Sequence, residues 1–332
     1  MARWIYGVGG FLVILSFYFF LFYSVRAFNI TPDRPSASYT APDYRFVLVT
    51  EEIDNDYWRL VEKGAREAAT KYNVSLEYTG PKQANLEEHI KTIEMAAASK
   101  PDGIMAQGLN QDVSATIINR VTEKGIPFLT VDTDAPDSKR VAYVGTDNYY
   151  AGFLAGQALL KDTIDEVKVG IITGRFDSAN QKLRVEGFKD AIKYSDRVDV
   201  VAIDASQITR IQAAEKTYEM IKAHPEINAF YGTSALDAIG IVQVLESIGM
   251  TDQVYVIGFD VLPETMQLLK DGKLEATVEQ KPYEMGYNAV ELMIQIIEGE
   301  DVSTYHHTKT EVLRKKDLKQ LERTTPGGIK LP

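Results

Sequence analysis

Five apolar runs in this chain end in side chains suited to gripping a polyhydroxylated ring. After Phe46-Val47-Leu48-Val49 come Asp54, Asn55, Tyr57 and Trp58. Gln107 follows Gly103–Ala106, Asp132 follows Pro127–Val131, Asp260 ends Val-Ile-Gly-Phe-Asp just after Phe259, and Gln280 follows Leu274–Val278. Flat aromatic rings cover the apolar C–H face of a pyranose or furanose, while carboxylates and amides exchange hydrogen bonds with its hydroxyls. Taken singly, a strand-end Asp or Asn also serves as the cap of the next helix. Five strand ends carrying such residues favour a sugar-type ligand site.

Covalent chemistry finds less support. Asp132 and Asp260 form a carboxylate pair of the kind glycosidases use, yet such pairs are common in binding sites without catalysis. No Gly-rich phosphate loop, nucleophile elbow or zinc helix is present. With no cysteine in the chain, disulfides, thiolate metal sites and thiol nucleophiles are excluded. His306-His307 has no further ligands at metal spacing and reads as a polar surface feature. The expectation is therefore a protein that is not an enzyme, with no cofactor and no metal. A net charge of -11 argues against a nucleic-acid partner.

The elements that must position these residues alternate regularly. Strand patterns fall at Phe46–Val49, Gly103–Ala106, Pro127–Val131, Val141–Gly145, Val167–Thr173, Val198–Ala205, Ala229–Gly232, Val254–Phe259 and Leu274–Val278. Helical spacing of apolar residues predicts helices at 58–72, 86–99, 112–124, 150–161, 181–193, 209–223, 235–248, 263–270 and 283–298. Such alternation builds α/β units on parallel sheets, with ligands outside the carboxyl ends of the strands. Nine strands over about 280 residues are too many for one compact domain, so two lobes are expected.

The N-terminus has a different character. Trp4 to Val25 is free of charge, is bracketed by Arg3 and Arg26, and carries Trp4, Tyr6 and Tyr23 near its ends. At 1.5 Å per residue the run reaches roughly 30 Å, the thickness of a bilayer core. It is longer than the apolar core of a cleaved signal peptide, so residues 1–26 are expected to be an uncleaved transmembrane anchor. Lipid attachment is closed because there is no cysteine. Residues 27–43, with three prolines, read as a linker, and residues 324–332 as a tail.

Residues 45–320 resemble the type I periplasmic binding proteins, specifically the ribose-, galactose- and xylose-binding branch. The resemblance rests on short segments in order. They are Asp54-Asn55-Asp56-Tyr57-Trp58 with Gly64-Ala65, Pro101-Asp102-Gly103-Ile104, and Gly125-Ile126-Pro127 running to Val131-Asp132. Further on come Val144-Gly145-Thr146-Asp147-Asn148 with Gly152, Arg184-Val185-Glu186-Gly187-Phe188, Ala235–Gly240, Gly258-Phe259-Asp260 and Ala276–Gln280. The resemblance implies two Rossmann-like lobes with parallel sheets joined by three hinge crossings, 45–146 with 281–309 and 147–280 with 310–323. It also implies a ligand clamped between them by hinge closure. Carried over residue by residue, the ligand set is Asn55, Tyr57, Trp58, Gln107, Asp132, Arg184, Ser234, Phe259, Asp260 and Gln280. The chain departs from the ribose-binding pattern at Thr133, where an arginine is usual, at Ser234 and Gln107, where asparagines are usual, and at Ile208, where a third aromatic is usual. Those departures weigh against ribose and leave room for a larger ring, a pentopyranose or a cyclitol.

Two roles follow for an extracytoplasmic, single-pass sugar binder. In the first, closure is sensed by a membrane partner such as a histidine kinase, which a tether of under twenty residues favours by raising effective concentration beside the membrane. In the second, the protein hands sugar to the permease of an ABC-type importer. A DNA-binding regulator is excluded, because a membrane span stands where its helix-turn-helix belongs.

Overall fold

The computed structural model describes residues 13–24 and 41–318. Residues 13–24 form helix α1, twelve residues long. Among the described residues no helix is long and apolar enough to cross a membrane. The rest of the expected span, residues 4–12 and 25, lies outside the described residues, as do most of the linker and the 324–332 tail.

The globular part opens with β1 (Tyr44–Val49), α2 (Asp56–Lys71), β2 (Val74–Thr79) and α3 (Leu86–Ala98). It continues through β3 (Gly103–Ala106), α4 (Gln111–Thr122), β4 (Phe128–Val131) and β5 (Ala142–Thr146). The next stretch contains α5 (Asn148–Asp162), β6 (Val167–Thr173), α6 (Ala179–Ile192), β7 (Val198–Ala205) and α7 (Arg210–Ala223). Then come β8 (Ala229–Gly232), α8 (Asp237–Ser247), β9 (Tyr255–Phe259), α9 (Pro263–Asp271) and β10 (Ala276–Glu279). The chain finishes with α10 (Pro282–Ile297), β11 (Tyr305–Thr308), β12 (Glu311–Arg314) and a 3-10 turn at Lys315–Asp317.

These strands form two six-stranded sheets, ordered β11-β5-β4-β3-β1-β2 and β12-β10-β9-β8-β6-β7. The first is parallel throughout, and in the second only β12 runs antiparallel, against β10. The chain passes between the sheets three times, after β5, after β10 and after β11. Each sheet with its helices is one lobe of an α/β fold. Interior strands are buried along most of their length and mainly apolar, because helices cover both faces. In β1, Phe46 and Leu48 join the core on one side, and Val47 and Val49 the core on the other.

The nine strands expected from sequence are all present, and three more are added. β2, β11 and β12 lie at the sheet edges, where the exposed Glu77 and His307 and the half-buried His306 break the apolar signal. They are strands because a neighbour supplies their partners, which local pattern does not report.

In each lobe one helix pair packs backbone against backbone. A Cβ added to Gly64 of α2 would stand 1.9 Å from the Tyr283 carbonyl oxygen, and one on Gly286 of α10 1.9 Å from that of Val61. The second lobe repeats the device: Gly152 of α5 faces the Arg184 carbonyl oxygen and Gly187 of α6 that of Tyr149, each at 1.9 Å. Only glycine permits this approach, and in α5 and α6 it brings Arg184 beside Asn148.

Candidate functional site

In the first lobe the strand ends converge on one carboxylate. Asp132, the residue after β4, is buried and held at φ 67°. Its Oδ1 accepts from the Tyr57 hydroxyl at 2.5 Å, and its Oδ2 from Gln107 Nε2 at 3.2 Å and Thr133 Oγ1 at 2.9 Å. Tyr57 lies on the first turn of α2 and meets Trp58 edge to face, with centroids 5.4 Å apart. Burial, and next the Asp132 charge, push the Tyr57 hydroxyl well above its usual range, so it stays protonated and donates. Asn55 sits at the N-cap of α2, where its side-chain oxygen accepts from the Tyr57 N–H at 2.9 Å.

In the second lobe the organising group is Arg184. Its fork of donors reaches Asn148 Oδ1 at 2.8 Å, the Thr233 carbonyl at 2.8 Å and Gln280 Oε1 at 3.0 Å. The guanidinium lies 3.7 Å from the centroid of the fully buried Phe259 ring, which backs it from the core. Gln280 Nε2 in turn donates to Asp260 Oδ1 at 2.7 Å, while Thr146 Oγ1 donates to Gln280 Oε1 at 2.7 Å. Thr146 ends β5 of the first lobe and Gln280 follows β10 of the second, so this bond spans a crossing. Ser234 follows β8; its N–H donates to Asp237 at 2.8 Å, and its buried hydroxyl has no partner among the described residues.

Burial pushes the Asp260 carboxyl up to about 6; Arg184 and the Gln280 hydrogen bond oppose the rise, and the charge of Asp132 adds to it. The charge of Asp132 in the first lobe therefore reaches Asp260 in the second. The lobes also touch directly. Arg175 from the β6–α6 loop pairs with Glu51 beyond β1, and Asn180 Nδ2 donates to Thr133 Oγ1 at 2.9 Å.

Tyr57, Gln107 and Asp132 thus form one connected group, and Arg184, Phe259, Asp260 and Gln280 another. Trp58 joins the first through Tyr57, whereas Asn55 is engaged in capping a helix. Asn148, Thr146, Glu51, Arg175 and Asn180 belong to the same constellation and are absent from the ligand set expected from sequence. Arg175 stands just beyond the end of β6, at Gly174-Arg175, a strand end that carries the same kind of signal as the five chosen. Asn148 shows no such signal, because its role depends on the close packing of α5 against α6.

The arrangement is a buried, hydrogen-bonded network of polar side chains drawn from both lobes, with no group of three or more His, Asp or Glu residues placed to hold a metal among the described residues. Residues 46–301 match the periplasmic binding protein domain. The chain belongs to that family. Its relatives are sugar-binding proteins, so this is a binding protein and not an enzyme. The chain is 25% identical over 281 residues to the ribose import binding protein of Escherichia coli, covering 85% of this chain and 94% of that one. A crystal structure of GanP, a glucose-galactose binding protein from Geobacillus stearothermophilus, is 57% identical, with a TM-score of 0.82 over 83% of this chain and 98% of that chain. XylFII in its complex with LytSN is 35% identical, with a TM-score of 0.78 over 82% and 98% of the two chains.

Proposed function

We propose that this protein binds a hexose of the glucose or galactose class between its lobes, outside a membrane to which residues 4–25 anchor it. Closure on the sugar is then read by a membrane partner of the sensor histidine kinase type. The observation that carries the ligand reading is the pair of connected groups centred on Asp132 and Asp260, one from each lobe. Sugar hydroxyls donate to both carboxylates only when the lobes are closed, so binding favours the closed form by that difference in affinity. The guanidinium of Arg184 and the amide of Gln280 supply donors for ring and hydroxyl oxygens. Thr133, shorter than the arginine usual in the ribose pattern, leaves space for a six-membered ring with its exocyclic carbon. The 57% identity to a glucose-galactose binding protein points the same way.

The partner reading is supported by the likeness to XylFII, solved with LytSN, and by the apolar run beginning at Trp4. A second reading, delivery to an ABC-type importer, is favoured by the name of the Escherichia coli relative, a ribose import binding protein. Calorimetric titration of residues 41–318 with glucose, galactose, ribose, xylose and allose tests the ligand class. Micromolar or tighter binding of a hexose is expected, and absence of heat with every sugar overturns the reading. Deleting the gene separates the roles, since loss of sugar-induced transcription with intact uptake marks the sensor, and loss of uptake marks the importer.

A further inference from the structure

Two contacts between the lobes end, by separate routes, on the same oxygen of Asp132. Along the first route, Arg175 of the second lobe pairs with Glu51, and the Glu51 N–H donates to Gln107 Oε1 at 2.7 Å. The other end of the Gln107 amide donates to Asp132 Oδ2 at 3.2 Å. The second route is shorter. Asn180 of the second lobe donates to Thr133 Oγ1 at 2.9 Å, and Thr133 Oγ1 donates to Asp132 Oδ2 at 2.9 Å. Every link in both routes joins protein groups.

We infer that Arg175 and Asn180 are positioning residues: they clasp the lobes together and, through Glu51–Gln107 and through Thr133, orient the Asp132 carboxylate for the sugar. The pair Glu51–Arg175 is mostly withdrawn from water, with side-chain exposures of 11% and 21%, so it is screened less than a surface pair. Asn180 is fixed on its own side, because its Oδ1 accepts from Ser178 Oγ at 2.7 Å and from the Gln181 N–H at 2.8 Å. Its amide nitrogen is thereby aimed at Thr133. Lobe closure and the orientation of Asp132 become one event. The clasp biases the open–closed equilibrium before any ligand arrives, and it slows sugar release by the same interactions. This inference deepens the binding function proposed for the cleft and rests on it only for the ligand measurements.

The test uses Arg175→Gln, Asn180→Ala and the exchanged pair Glu51→Arg/Arg175→Glu in the full chain. Two readouts are taken: distance between dyes placed on the two lobes without sugar, and the sugar dissociation rate. Arg175→Gln should reduce the closed population several-fold and raise the dissociation rate about tenfold, the order expected for loss of one charge-assisted contact. Asn180→Ala should shift both readouts in the same direction by a smaller factor. The exchanged pair should recover a substantial part of the closed population. An unchanged closed population in both single variants overturns the clasp, as does weakened sugar binding without any change in that population, which would make Arg175 a direct sugar contact. Because the dye distance is read without sugar, a wrong ligand class leaves the outcome of that measurement intact.

Discussion

Asp132 and Asp260 are counterparts. Each is the first residue past an interior parallel strand and each is held in the left-handed region, at φ 67° and 69°. Each N–H donates at 2.9 Å to a carbonyl of the neighbouring strand, Val144 in one lobe and Val278 in the other. Each carbonyl is held by a hydroxyl of that same strand, Tyr143 at 2.9 Å and Thr277 at 2.8 Å. The two lobes thus present matching carboxylates on matching, locally strained backbone.

That conformation separates two kinds of substitution. Asn tolerates positive φ nearly as well as Asp, so Asp260→Asn and Asp132→Asn should fold with stability within about 1 kcal/mol of the parent. Their sugar affinity should nonetheless fall at least tenfold, since an amide offers one acceptor where a carboxylate offers two. Asp260→Val adds the cost of a β-branched residue in the left-handed region, of order 1–3 kcal/mol. Urea unfolding beside calorimetric titration distinguishes the two; normal affinity in Asp260→Asn rules out the site assignment.

Binding should depend on pH through Asp260. Its carboxyl is raised from 3.8 to about 6 by burial, and hydroxyl donors favour the ionised form. Affinity should therefore decline as pH falls below about 6. Stability of the sugar-free protein carries the opposite sign. The folded state holds this proton more tightly than the unfolded chain, so the contribution of Asp260 to stability diminishes as pH rises from 3.8 to about 6. Titrations in two buffers of different ionisation enthalpy should show proton release on sugar binding near pH 6, and a pH-independent affinity contradicts the prediction.

Removing the guanidinium has a larger consequence. Arg184→Met leaves Asn148 Oδ1 and the Thr233 carbonyl without the donor that Arg184 supplies, takes one of two donors from Gln280 Oε1, and leaves Asp260 without its nearby positive charge. A loss of about 3–5 kcal/mol is expected for a buried charge stripped of its partner, together with loss of sugar binding. Arg184→Lys, which keeps the charge without the fork, should regain stability more than affinity. Equal recovery of both would show that geometry is unimportant there.

Much of this was legible from sequence and some was not. Asp132, Gln107, Asp260 and Gln280 stand just past short, mainly apolar runs, and a parallel sheet buried on both faces must carry such runs. Tyr57 and Trp58 are aromatics in a first helical turn. Glu51, Arg175 and Asn180 act across the space between lobes, and nothing in their own neighbourhoods states which residue of the other lobe faces them. β11 and β12 escaped for a related reason, since their polar sequences become strands only when β5 and β10 are in place.

The helix pairs offer a prediction that is independent of any ligand. Gly64→Ala places a methyl group 1.9 Å from a backbone oxygen of α10, which no rotamer change relieves. The expected cost is about 1–3 kcal/mol or more, measured as a lowered urea midpoint. Gly249→Ala is the contrast at a glycine with open space around it: φ +70 makes it costly by strain alone. If Gly64→Ala proves neutral, α2 and α10 are not in backbone contact.

The order in which the chain visits its sheets also governs how it must fold as it emerges. The first lobe is interrupted by the whole of the second, and Met285, Ala289, Val290, Leu292 and Met293 of α10 fill its core from the far end of the chain. Until those residues arrive, Phe46, Leu48 and Met105 have an unfilled side. The second lobe is nearly continuous and needs only β12 to finish its sheet. Its contacts are closer in sequence, so it should be the first unit to consolidate during synthesis, with the earlier-made lobe completed last. A chain stopped near residue 281 would carry a second lobe lacking only its β12 edge, joined to a first lobe whose apolar core is still exposed to chaperones and proteases.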